Sequence, residues 1–147
     1  MTEQVPDIIL IDGEEHTIRA NPLEIWFEKG NPRPDFQYPN TECVRGYVAK
    51  WQINRKWLFL LAINGQDKLG EAIGLSTVFP GMLSPIEAYW FTGILRITEV
   101  DLKTYVPGPY GSTFEHDRII YIRAGKVMQD IIWSSKNGHQ FKLLNQI

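Results

Sequence analysis

Cysteine is almost missing from this chain: Cys43 stands alone among 147 residues. A single thiol cannot close a disulfide within the chain, so a hydrophobic core must hold the fold, and the expected compartment is the reducing cytoplasm. The expected state of Cys43 is a buried, unreactive thiol, since no helix start precedes it to lower its pKa. Histidine is scarce as well, and His16, His116 and His139 include no pair at zinc-ligand spacing. Gly108 and Gly111 lack the spacing of a phosphate-cradling loop, with no helix signal after them. Ser112 lacks the second glycine of a nucleophile elbow. The expectation is therefore no metal and no cofactor, and no motif names a reaction.

Basic runs are missing too. The formal net charge is −2, and the lysines and arginines are scattered. Affinity for nucleic acid rests on cations that neutralise phosphates, so no nucleic-acid partner is expected. No apolar run approaches the roughly 18–20 residues that a membrane helix needs. The first residues also lack the basic-then-apolar order of a secretory signal, so no membrane partner is expected. No internal repeat and no low-complexity tail is present.

Aromatic residues, by contrast, are plentiful. Five Trp, six Tyr and seven Phe, in a chain that is 44% hydrophobic, are ample for the core of one domain spanning 1–147. Most apolar segments are short and bounded by turn residues, the pattern of β-structure. Ile8 to Ile11 reads as a strand, Asp12-Gly13 as a turn, and His16 to Arg19 as the returning strand. Val44 to Ile53 and Lys56 to Ile63 read as two strands around Asn54-Arg55. Tyr47, Ala49, Trp51 and Ile53 share one face of the first. Ile86 to Val100 reads as one long aromatic strand interrupted by Gly93, and Arg118 to Trp133 as a hairpin turning at Ala124-Gly125-Lys126. Phe141 to Leu144 reads as a terminal edge strand.

One helix is well marked. Asn21 stands at the cap position, Pro22 at the first helical position, Glu24 at the capping-box position and Gly30 beyond the end. Leu23, Trp26 and Phe27 would share its buried face. Between 64 and 85 the reading is weaker: Asn64-Gly65 predicts a turn, Leu69, Ala72 and Ile73 have helical spacing, and Leu75 to Phe79 predicts a strand. The expected fold class is mainly β (β-rich α+β), an antiparallel sandwich or incomplete barrel with one short N-terminal helix packed on it.

The candidate functional residues lie on two loops rich in proline and tyrosine. One holds Tyr105, Pro107, Pro109, Tyr110 and Phe114, leading into Glu115-His116-Asp117; the other holds Phe36, Tyr38 and Pro39. Rigid aromatic residues are favoured in protein interfaces. If both loops reach one end of the sheet, Tyr38, Tyr105 and Tyr110 form a contact rim with Arg33, Arg45, Glu115 and His116 nearby. The commoner fate of such aromatics is to close the core beneath their own loops. The leading expectation is a small cytoplasmic interaction protein with a protein partner, of the general kind to which bacterial immunity and antitoxin proteins belong. The alternatives are a half-barrel binding a small ligand between Trp51, Trp90 and Tyr121, and a small enzyme using Glu115, His116 and Tyr110. Neighbouring residues on a strand point to opposite faces, so adjacency alone does not pair His116 with Glu115 or Asp117.

Overall fold

The structure, a computed structural model, describes residues 5–37, 45–106, 112–134 and 140–146, with side chains for 5–37, 45–97 and 117–132. Among the described residues, ten strands form a single mixed sheet that curls into a nearly closed barrel, accompanied by two short helices. The chain runs β1 (Asp7–Ile11), β2 (Glu14–Ile18), α1 (Pro22–Glu28), β3 (Tyr47–Asn54), β4 (Trp57–Gln66), β5 (Ala72–Ile73), α2 (Leu75–Val78), β6 (Ile86–Glu87), β7 (Gly93–Val106), β8 (Ser112–Arg123), β9 (Lys126–Ser134) and β10 (Gln140–Gln146). Around the barrel the order is β2-β1-β3-β4-β9-β8-β7, and β2 then meets β7, where the Arg19 N–H donates to the Arg96 carbonyl at 3.0 Å. β10 pairs with β9, while β5 and β6 pair with β4. No helix among the described residues is long and apolar enough to cross a membrane.

Every pairing among the described residues is antiparallel except that of β1 with β3. The exception has a simple cause. Parallel neighbours need a long crossover, and here the chain leaves β1 through β2 and α1 before it returns beside β1. Two-residue turns join β1 to β2, β3 to β4 and β8 to β9. All three take positive φ at both positions: Asp12 and Gly13 at 51° and 78°, Arg55 and Lys56 at 50° and 71°, Ala124 and Gly125 at 47° and 83°. That conformation matches the right-handed twist of the flanking strands. The second turn lies one residue beyond the expected Asn54-Arg55, and Asn54 is instead a strand residue opposite Trp57.

Side chains fill the barrel. Ile9, Ala49, Trp51, Leu58, Leu60, Leu95 and Ile120 are fully buried, and Leu23 of α1 joins them. Alternation along β3 places Tyr47, Ala49 and Trp51 inward, as expected, although Ile53 is only half-buried. Ile120 and Ile122 face inward on β8, while Tyr121 faces out. Trp26 and Phe27, expected to be buried with Leu23, are half-buried.

The stretch from 64 to 92 departs most from the sequence pattern. β4 runs straight through Asn64-Gly65 to Gln66. No helix forms over 66–73; Ala72 and Ile73 pair with Gln66 and Gly65 instead. Leu75–Val78 is helical rather than extended. The single strand expected over Ile86 to Val100 is two strands separated by a turn at Ala88–Thr92. Backbone bonds anchor that turn: the Ala88 N–H donates to the Leu58 carbonyl, and the Gly125 N–H to the Phe91 carbonyl. The hairpin turn at Gly125 thus closes onto this segment.

Gly125 is sterically required there. Its φ is +83°, and a Cβ at this position would sit 2.9 Å from the Ala88 carbonyl oxygen. Gly125→Ala adds left-handed strain to that collision, so a loss of about 2–3 kcal/mol is expected in urea melts. A loss under about 0.5 kcal/mol would mean that the Ala88 turn moves aside freely.

Candidate functional site

Arg45, a candidate contact residue on sequence grounds, leads into the interior instead. Its Nη2 donates to Asp7 Oδ1 at 2.7 Å, and its side chain is 7% exposed. Asp7 is fully buried at the start of β1 and also accepts the Ala49 N–H at 3.0 Å and Trp51 Nε1 at 3.2 Å. Burial pushes the Asp7 carboxyl above the usual carboxylate value, opposed by the Ala49 N–H, the Arg45 charge and the Trp51 indole. Arg45 Nε, also buried, has no hydrogen-bond partner among the described residues.

A second layer surrounds this pair. Glu24 of α1 does not reach back to cap its helix, and the Asn21 side chain makes no capping bond either. Its carboxylate instead accepts the Tyr47 hydroxyl at 2.6 Å and Arg33 Nη1 at 2.7 Å. Arg33 also donates Nη2 to the Arg45 carbonyl at 2.9 Å and lies over the rings of Phe27 and Phe36. Burial, and then the hydrogen bond to Glu24, hold the Tyr47 phenol far above its ordinary pKa. With its proton engaged and its pKa raised, Tyr47 is no acid or base at neutral pH. The network acts as a brace that ties β1, α1 and the approach to β3 together.

The remaining sequence candidates lie on β7 and β8 or outside the described residues. Tyr105 lies in β7, and Glu115 and His116 lie within β8, where Glu115 is opposite Val100 and His116 opposite Glu99 and Ser134. The stretch expected to be a loop before Asp117 is therefore largely paired strand. Asp117 takes Arg96 Nη2 at 2.6 Å. The side chains of Tyr105, Glu115 and His116, together with Tyr38, Tyr110 and Cys43, lie outside the described residues. The expected ligand-lining trio separates: Trp51 and Trp90 are buried in the packed core, and Tyr121 is on the outer face. Arg118 and Asp130 form a second inward pair, Nη2 to Oδ2 at 2.6 Å, beside a small cavity of about 220 Å³ near the hairpin turns.

An exposed apolar patch was not anticipated from the sequence. Trp26 contacts Phe79 at 4.9 Å between ring centroids and Tyr89 edge-on at 6.1 Å. The Met82 N–H donates to the Phe79 carbonyl at 3.2 Å, which ties the start of the loop carrying Met82 and Leu83 to Phe79. Leu83 is 88% exposed, Tyr89 56% and Met82 48%. α1 positions Trp26, the loop after α2 positions Met82 and Leu83, and the turn between β6 and β7 positions Tyr89. The available sequence signal was an apolar pair set between Pro80-Gly81 and Ser84-Pro85, where no strand or helix period calls for burial.

The structure also holds a half-open cleft of about 660 Å³ where β3, β4 and β5 meet. Val48, Ile63 and Ile73 supply its apolar surface, and Gln37, Asn64 and Gln66 its side-chain polar groups. Comparison with family models, curated proteins and solved structures found no match.

Proposed function

We propose that this chain is a cytoplasmic protein-interaction module, and that the patch of Trp26, Met82, Leu83 and Tyr89 is its contact surface. The observation that carries the reading is the exposure of Tyr89, whose ring meets the half-buried Trp26 edge-on, together with that of Met82 and Leu83 in the loop that follows Phe79, which itself packs on Trp26. Large apolar side chains clustered on a surface lose free energy to water, and Trp, Tyr and Met are the residues enriched in interface cores. The direct packing of Trp51 against Trp90, ring centroids 6.3 Å apart, supports the same reading. The single cysteine supports the cytoplasmic placement. Tyr105, Tyr110, Tyr38, Glu115 and His116 are proposed as further contact residues; Arg45 is not, because its guanidinium is committed to Asp7.

The test is a Leu83→Ser/Tyr89→Ser double variant. Its melting temperature should stay within about 2 °C of the parent, because exposed side chains carry little stability. Its affinity for a partner captured from the source cells should fall by roughly 30-fold or more, the scale of losing one interface hot spot. Undiminished affinity would remove the patch from the interface. A Pro109→Ala/Tyr110→Ala variant measured in parallel reports on the second proposed set of contact residues.

A further inference from the structure

We propose that the partner met by the Trp26–Tyr89 patch is an acidic protein segment, and that Arg55, Lys56, Arg123 and Lys126 receive its carboxylates. The inference rests on the reading of that patch as the contact surface and adds the charge of what docks there.

These cations are scattered in sequence, and two hairpin tips gather them. Arg55 and Lys56 form the β3–β4 turn, while Arg123 and Lys126 sit opposite each other across the β8–β9 turn. Lys126 also pairs with Trp57, and its Nζ lies 6.0 Å from the centre of the Trp57 ring. Backbone bonds hold the tips side by side: the Leu58 N–H donates to the Gly125 carbonyl at 2.8 Å, and the Val127 N–H to the Lys56 carbonyl at 2.7 Å. Ile122, Val127 and Leu58 are buried inward, so their neighbours Arg123, Lys126 and Trp57 project from the outer face of the barrel. The apolar patch begins where the tips end. A Cβ on Gly125 would lie 3.3 Å from the Tyr89 Cα, and the Ala124 N–H donates to Thr92 Oγ1 at 2.9 Å. Lys126 is one Cα step of about 3.8 Å beyond Gly125, so its side chain stands beside Tyr89. Among the described residues β10 pairs with β9 no closer to this tip than Gln129, and the β7–β8 hairpin closes at the far end of β8.

Two observations mark this end for anions. Ion pairs among the described residues engage Arg33, Arg45, Lys50, Lys68, Arg96 and Arg118, and none engages these four cations. Two carboxylates stand near: Asp12 lines the small cavity with Arg55 and Lys56, and Glu87 precedes the Ala88 turn. The second observation is backbone strain. The other two-residue turns have glycine at their second position, Gly13 and Gly125, whereas here Lys56 holds a φ of 71° after Arg55 at 50°. Left-handed backbone is unfavourable for a side-chain-bearing residue, so the turn holds two cations where an Asn-Gly pair would fold more easily. Nucleic-acid affinity grows with the number of phosphates neutralised, and a compact group of four cations in a chain of net charge −2 neutralises few. A segment with carboxylates around leucine and tryptophan matches the cations and the aromatic patch together.

The test titrates three probes into isotope-labelled protein and follows backbone amide shifts. They are a short peptide of leucine and tryptophan set among glutamates, the same peptide with glutamine for every glutamate, and oligothymidylate. The acidic peptide should shift residues 55–57, 89–92 and 123–126 and bind about tenfold more tightly than its glutamine counterpart, the scale of a few exposed ion pairs. High salt should erase that advantage. Arg123→Gln/Lys126→Gln should weaken the acidic peptide about fivefold and leave the melting temperature within about 2 °C. Lys56→Gly should melt about 2 °C higher, as strain is relieved, yet bind the acidic peptide about twofold more weakly. Equal affinity for the two peptides overturns the acidic partner and leaves the patch reading intact. Tighter binding of oligothymidylate than of the acidic peptide, or undiminished binding by the Arg123→Gln/Lys126→Gln variant, overturns it as well. Tyr89→Ser should weaken both peptides; if it weakens neither, the patch reading fails and this inference with it.

Discussion

Arg45→Met is expected to lower stability by about 3–5 kcal/mol at neutral pH, the loss typical of breaking a buried ion pair from one side. Methionine retains most of the apolar stem, so the loss reports the stranded carboxylate rather than a cavity. Asp7 is fully buried, and Arg45 is the cation that meets it. The pH dependence gives a sharper readout. In the folded protein Asp7 titrates above the usual 3.8, chiefly because of burial. Just above that value the folded state retains a proton that the unfolded chain has released, so this carboxyl makes stability fall as pH rises through the window. Removing Arg45 takes away an influence that lowers the Asp7 pKa, and so extends the window upward. The deficit should be greatest at neutral pH and shrink on acidification, as protonated Asp7 no longer needs a counter-charge. Urea melts at pH 7 and pH 5 check this. A deficit that does not change with pH would mean that Arg45 acts through packing alone.

Trp90→Ala is expected to cost a similar 3–5 kcal/mol, the range for a truncated core aromatic. The indole is 3% exposed and stacks on Phe79 at 5.4 Å. It lies 5.0 Å from Trp26 and 6.3 Å from Trp51, and its Nε1 donates to the Pro22 carbonyl at 2.9 Å. One residue thus links the barrel interior, the turn after β6 and the first turn of α1. A seven-residue helix cannot persist alone, so losing this anchor should also free α1. Denaturant melts followed by near- and far-ultraviolet circular dichroism would register both effects. Trp26→Ala should cost less, because Trp26 is only half-buried. If Trp26 proved the more costly of the two, the patch would be part of the core and unavailable to a partner.

The parts of the fold legible in the sequence are those fixed by local chemistry. Asp12-Gly13 and Ala124-Gly125 supply the positive φ that two-residue hairpins require, and Pro22 and Gly30 bracket α1. The parts that were not legible depend on partners distant in sequence. Asn64-Gly65 carries a strong turn signal, yet the glycine serves a different purpose, the close approach of the Phe36 ring. Tyr89, Trp90 and Phe91 have the composition of a strand, but the turn they occupy is set by bonds to Leu58 and Gly125 that no local period reveals. The same limit applies to the sites. Arg45 was visible as a charge beside an aromatic loop, but its inward course depends on Asp7 of β1, far away in sequence. In β4, Asn64 and Gln66 carried an alternation that was readable once the strand was known to continue through Gly65.

The junction of β2 with β7 bears on how quickly the protein can fold. The Arg19–Arg96 bond joins the first hairpin to a strand laid down much later, and the β1–β3 pair likewise spans α1 and a long connection. Loop closures of this length must precede the contacts that reward them, which places the chain among slow-folding, non-local topologies. While the ribosome has yet to deliver β7, the outer edge of β2 presents unpaired backbone groups that another nascent chain can add to. Glu14 and Glu15, both exposed on that strand, place like charges along the edge. Copies of the edge would then repel one another until the barrel closes.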